Sequence, residues 1–295
     1  MVSFRAIWKL MRLEHGVMIF LGILIGAIIG LNGKGFPPFD NLFLTFFTAL
    51  FLEASTFALN DYFDLEIDKQ NERFDRPLVR GDISKRGALI LFYVFLPLGL
   101  ISSFFVNYVC FIIALITGFF AVFYDVYLKK RKVFGNFYIA YVMAIPFIFG
   151  GFSILEENVF SLDVNPAVFV LAFIAFLAGS GREIMKDIMD FHGDKKEGVK
   201  SFPYYVGIRN SCYLASFFYL ASVFLSFIPF FFKFFTVFYR NLYFMIFIII
   251  TDILLVYISL NLISKKNVHI KKFRKISLYA MFIALLGFLI GALVS

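Results

Sequence analysis

Long apolar stretches, broken by short polar segments carrying Gly, Pro and charge, set the pattern of this chain. A bilayer core takes about 20 apolar residues per helix. That ruler predicts nine spans, at roughly 14–31, 41–60, 87–105, 107–127, 134–154, 165–185, 211–231, 241–263 and 275–294. The breaks are Gly33 to Pro38, Asp61 to Arg86, Lys129 to Lys132, Glu156 to Pro166, Lys186 to Arg209 and Ser264 to Lys275,. The expected fold class is an all-α polytopic membrane protein. A β-barrel would show short alternating segments instead.

Composition agrees with the pattern. Of 295 residues, 61% are hydrophobic and 16% charged, with a mean hydropathy of +0.86. Soluble domains average about 45–50% apolar and about 25% charged. Soluble dinucleotide-binding, TIM-barrel and nucleic-acid-binding readings are therefore excluded. The net charge of +8 reads as topology, because basic residues collect in cytoplasmic loops. Of the 28 Lys and Arg, 25 fall in the N-terminal segment, at Arg182 near the end of the sixth span, and in the breaks after the second, fourth, sixth and eighth spans. Lys34, Lys233 and Arg240 fall on the other side. The expected localisation is the cell membrane, with the N-terminus inside, the C-terminus outside and the acidic clusters facing the cytoplasm. Cys110 and Cys212 lie 102 residues apart in apolar stretches and read as small buried hydrophobes,.

An internal repeat then appears. Asp61, Asp64 and Asp68 are spaced by three and four, and Asp187, Asp190 and Asp194 repeat those spacings 126 residues later. Pro77 follows Asp68 by nine residues, as Pro203 follows Asp194. One transmembrane domain, 1–295, is expected, with halves at about 1–133 and 134–263 and a ninth helix at 275–294,.

Spacings of three and four place each set of carboxylates on one helical face. Asn60 joins the first face. Like charges stacked this way repel unless a cation neutralises them. Mg²⁺ suits them, since it takes hard oxygen ligands from a few carboxylates plus substrate phosphates. Two such faces could grip one diphosphate through bridging Mg²⁺. A solvated acidic loop explains one cluster alone, but not two in repeat register. Arg76, Lys129, Lys130, Lys186 and Lys195 sit where phosphate oxygens would be, although the topology rule accounts for them equally well. Glu53 and Asp252 fall inside spans, where carboxylates are functional candidates by default,.

With those residues in view, the chain resembles the UbiA-type membrane prenyltransferases. Their motif N-D-x-x-D-x-x-x-D is matched from Asn60 to Asp68, followed by Arg76-Pro77-Leu78 and Gly81. Their second motif is matched from Asp187 to Asp194, followed by Gly198 and Pro203. The loop after the fourth span runs Tyr124-Asp125-Val126-Tyr127-Leu128-Lys129-Lys130, then Gly135-Asn136. Asp125 stands where the family usually has Ser, and Lys130 where it has Arg. The stretch Arg182 to Asp194 is most similar to the archaeal digeranylgeranylglyceryl phosphate synthases.

The resemblance implies a Mg²⁺-dependent transfer of a geranylgeranyl group from its diphosphate to geranylgeranylglyceryl phosphate, in ether-lipid synthesis. It implies Mg²⁺ ligation by Asn60, Asp64, Asp68, Asp187, Asp190 and Asp194, with Asp61 as a ligand or an orienting group. It also implies phosphate contacts from Arg76, Lys129 and Lys195, and an aromatic face at Tyr124 for an allylic cation. Arg12 and His15 are candidates for the acceptor's phosphate. The partners implied are a prenyl diphosphate, a lipid acceptor and membrane lipid, with no nucleic acid. The alternatives are an aromatic-acceptor prenyltransferase of quinone synthesis and, from another class, a transporter.

Overall fold

The structure is a computed structural model that describes residues 4–70, 72–129, 131–155, 164–196, 198–264 and 269–294, with backbone alone at 4, 13–15 and 17. Among the described residues the ordered elements are all helical. They are α1 (Phe4–Met11), α2 (Leu13–Gly30), α3 (Phe39–Gln70), α4 (Lys85–Val106), α5 (Tyr108–Phe123), a π-helical turn (Tyr124–Leu128), α6 (Lys132–Ser153), α7 (Ala167–Lys196), α8 (Phe202–Ser226), α9 (Ile228–Phe231), α10 (Leu242–Ser264) and α11 (Ile270–Leu293). Among the described residues, eight helical segments are long and apolar enough to cross a membrane, α8 and α9 together forming one of them, and the apolar stretch Met18–Gly30 of α2 is shorter.

The sequence-based boundaries change in one way that matters. The break expected to begin at Asp61 is helical to Gln70, and the one expected at Lys186 is helical to Lys196. The reason is that the apolar ruler stops at the first charges, whereas charged residues continue a helix readily. From Asp61 to Gln70 there is neither Gly nor Pro,. The 32 residues of α3 rise about 48 Å at 1.5 Å each, against a hydrocarbon core about 30 Å thick. Each acidic motif therefore rides on the end of a helix too long for the membrane. Gly81 and Gly198 follow these two helices with φ of +80° and +71°, conformations in which a side chain is strained.

The chain divides into two compact units. The first comprises Met1–Leu21, Pro37–Tyr127 and Phe152–Leu162. In it α3 packs on α4, and α4 on α5. Ala58, Leu65, Leu78, Ile83 and Phe92 form a core with Ala6 and Leu10 of α1, a short helix the apolar pattern did not announce. A single residue, Asn107, ends α4 and begins α5. It is 2% exposed, its Oδ1 accepts from the Cys110 N–H at 2.8 Å, and its Nδ2 donates to the Phe152 carbonyl at 2.8 Å.

The second unit comprises Gly22–Phe36, Leu128–Gly151 and Asp163–Ser295. Helix α7 packs on α8, α8 on α10, and α10 on α11, around Ile184, Met185, Tyr219, Leu255 and Ile258. The end of α2 meets α6 backbone to backbone. A Cβ on Gly26 would fall 2.1 Å from the Phe147 carbonyl oxygen, and one on Gly150 1.9 Å from that of Ile23. Small residues are what allow such an approach in a membrane. Cys110 and Cys212 are free and buried.

Candidate active site

In the first unit the motif shares a face of α3 with the core residues Ala58 and Leu65, since positions 58, 61, 65 and 68 repeat by three and four,. Asp61 and Asp68 are consequently buried, at 1% and 7% exposure, while Asp64 is half-buried. A buried carboxylate must be paired. Asp61 accepts on one oxygen from Arg76 at 2.8 Å and from Arg12 at 2.9 Å. Arg12 also lies over the Phe57 ring, 4.2 Å from its centroid. It turns the chain from α1 into α2 with a φ of 47°, a conformation uncommon outside Gly,.

Arg76, expected at phosphate oxygens, sits among carboxylates. Besides Asp61, its Nε is 3.9 Å from both Asp68 and Asp75. Asp75 is itself gripped by Arg73 through two hydrogen bonds of 2.9 Å, which hold its carboxyl below the usual range. The Asn60 amide nitrogen donates to Asp125 at 3.0 Å, so Oδ1 is the atom that Asn60 offers to a cation. Asp125 and half-buried Tyr124 are both on the π-helical turn. Half-buried Glu53 places a carboxylate oxygen 3.2 Å from where a Cβ on Gly16 would be.

The second unit repeats the arrangement with different chemistry. Asp187 and Asp194 are buried, at 1% and 9% exposure, and Asp190 is half-buried. Asp187 accepts from the Asn136 side chain at 2.7 Å and from the Phe202 N–H at 3.3 Å. Phe202 lies 15 residues after Asp187, as Arg76 lies 15 after Asp61. The repeat thus extends to the groups that hold each first carboxylate, although one donor is a guanidinium and the other a peptide N–H. Asp194 takes both oxygens to the Lys132 ammonium, at 2.8 and 2.7 Å. Lys186 and Arg182 both lean on buried Glu183, at 3.6 and 3.4 Å. Lys195 is exposed, and Lys129 is half-buried with its Nζ out of solvent. Asp252 accepts from the Ser226 hydroxyl at 2.7 Å. Lys130 and the His15 side chain lie outside the described residues.

Sequence reasoning missed Lys132 as a carboxylate partner. It lies in a run of four basic residues, where nothing distinguishes it from a topology signal. The usable clue was its place at the start of a helix, where a positive charge opposes the dipole.

The sequence profile of the UbiA prenyltransferase family matches residues 19–286. The chain belongs to the UbiA prenyltransferase family. A digeranylgeranylglyceryl phosphate synthase of Archaeoglobus fulgidus is 42% identical to this prenyltransferase over 98% of this chain and 95% of the relative. A solved structure described as concerning digeranylgeranylglyceryl phosphate synthase in membranes superposes with a TM-score of 0.84 and 34% identity, covering 100% of both chains. A UbiA homologue from Archaeoglobus fulgidus, bound to DMAPP and Mg²⁺, shares the fold at a TM-score of 0.62 and 19% identity, over 96% of this chain and 99% of that one. This chain is therefore a multi-pass, intramembrane prenyltransferase.

Among the described residues, no three His, Cys, Asp or Glu side chains converge as a closed metal cage. The donors that each motif does offer are hard oxygens from one half-buried and two buried carboxylates. That set fits Mg²⁺, which keeps waters and substrate phosphates in its shell and uses only one or two protein carboxylates.

Proposed function

We propose that this prenyltransferase joins the geranylgeranyl group of geranylgeranyl diphosphate to the glycerol hydroxyl of geranylgeranylglyceryl phosphate. The carrying observation is the full-length similarity to digeranylgeranylglyceryl phosphate synthases, 42% identical in the Archaeoglobus fulgidus protein. The allylic C–O bond breaks and its electron pair leaves with diphosphate. The glycerol oxygen bonds the allylic carbon and releases its proton to water. Mg²⁺, when bound, supplies charge neutralisation for the departing diphosphate.

The residues that hold Mg²⁺ are Asn60, Asp64 and Asp68 at the first motif and Asp187, Asp190 and Asp194 at the second. Asp64 and Asp190, the half-buried members of each motif, are the carboxylates best placed to meet a cation arriving from solvent. Asp61 orients its motif between Arg12 and Arg76. Lys129, Lys186 and Lys195 serve phosphate oxygens, and the Tyr124 ring faces the allylic cation, which an aromatic face stabilises within about 6 Å.

An acceptor panel tests the reading. Purified protein with Mg²⁺ and labelled geranylgeranyl diphosphate is expected to prenylate geranylgeranylglyceryl phosphate at least about tenfold more efficiently than 4-hydroxybenzoate, a gap of about 1.4 kcal/mol. Turnover of 4-hydroxybenzoate alone would move the chain to the aromatic-acceptor branch. Absence of diphosphate release with either acceptor would overturn both acceptor assignments.

We place nine spans in the membrane with both motifs on the cytoplasmic side, supported by the 25 of 28 basic residues assigned there,. Single cysteines at exposed Lys195 and Lys233 should react with impermeant reagent from opposite faces of sealed vesicles. Reaction of both from one face overturns this topology.

A further inference from the structure

We propose that Lys132 makes Mg²⁺ binding at the second acidic motif depend on the arrival of the diphosphate. This rests on reading that motif as a metal–diphosphate site. The Lys132 ammonium bridges both oxygens of Asp194, at 2.8 and 2.7 Å, across 62 residues of chain. It thereby occupies the position from which a cation would take that carboxylate. The corresponding third carboxylate of the first motif, Asp68, has Arg76 Nε at 3.9 Å.

Both residues sit where local electrostatics disfavour them. Lys132 is the first residue of α6, and Asp194 lies in the last turn of α7. Helix N-termini favour anions and C-termini favour cations. The pair offsets two unfavourable placements, and such breaches of local rules mark functional positions. The site is largely shielded, with the Lys132 side chain 26% exposed and that of Asp194 11%.

The consequence follows from charge. Mg²⁺ arriving alone must displace the ammonium from Asp194, leaving a partly buried cation without a counter-charge. Diphosphate arriving with the metal supplies new anionic oxygens, to which Lys132 can transfer its hydrogen bonds. Lys132 therefore opposes the metal alone and favours metal and diphosphate together. Such coupling is reciprocal: each ligand tightens the other by the same factor.

The test is a Mn²⁺ titration of the purified full-length protein by equilibrium dialysis, read as Mn²⁺ retained on the protein side in excess of a protein-free control containing the same inorganic pyrophosphate, with and without pyrophosphate. In the parent, pyrophosphate should tighten Mn²⁺ by about tenfold or more, within the usual range of coupling between sites. Lys132→Met should bind Mn²⁺ alone more tightly than the parent and lose most of the gain from pyrophosphate. Lys132→Gln keeps a hydrogen bond to Asp194 without the charge and should behave like the Met variant. Lys132→Arg should restore the parent pattern. The first motif is common to all four proteins, so differences among them report on Lys132. Equal coupling in the parent, Met and Gln proteins overturns this inference alone. Loss of all Mn²⁺ binding in the Met, Gln and Arg variants makes Lys132 a structural residue and also overturns it. Failure of the parent to bind Mn²⁺ even with pyrophosphate overturns the metal reading beneath it.

Discussion

Replacing Asp64 by alanine is expected to cut prenyl transfer by about 10²-fold or more, the loss typical when one stabiliser of transition-state charge is removed. Asp190→Ala should do the same, because it repeats Asp64 in spacing and in its half-buried setting. Released diphosphate from purified protein at saturating Mg²⁺ measures both. On the proposed reading, in which both motifs serve the departing diphosphate, the two losses should not multiply in the double variant. Chelation should abolish turnover and added Mg²⁺ restore it. Near-normal turnover by either single variant removes that motif from the chemistry.

The second large effect is on stability. Asp61→Ala leaves the Arg12 and Arg76 guanidiniums facing each other in a site that is 1% exposed at its centre. Removing one partner from a buried ion pair costs about 3–5 kcal/mol. Asp187→Ala removes an acceptor from two neutral donors, Asn136 and the Phe202 N–H. Each hydrogen bond to a carboxylate contributes about 1.5–3 kcal/mol, but the donors left behind carry no charge and bury no unpaired ion. Thermal unfolding in detergent should therefore show Asp61→Ala falling well below Asp187→Ala, although the two positions are equivalent in the repeat. Equal losses would mean that the guanidiniums find other partners.

The membrane class, the span count to within a helix and the two acidic motifs were legible because each is written in consecutive residues. Twenty apolar residues in a row, or three carboxylates at spacings of three and four, need no knowledge of what lies beside them. The pairs that hold the motifs were not legible. Arg12 reaches Asp61 across 49 residues, and Lys132 reaches Asp194 across 62. Both cations belong to the large basic pool that topology already explains, so their charge carried no further information. The burial of the first and third carboxylate of the first motif was hidden for a related reason. It follows from Leu65 and Ala58 sharing their face, and the apolar ruler had already stopped at Asp61. Lys132 and Asp194 show that a charge at the wrong helix end is a better guide than a charge count.

The one-residue connection at Asn107 bears on how the protein enters the membrane. Helices α4 and α5 follow each other with no polar loop between them, and Asn107 is 2% exposed with both ends of its amide engaged. From Ala88 to Phe123 the chain carries no charged side chain. An inserting ribosome-bound chain thus has no hydrophilic segment to carry across the bilayer at this point. The pair can partition as a closed hairpin, its turn already capped, without exposing an unsatisfied backbone to lipid. A single partitioning event for the two helices is the insertion route this connection predicts.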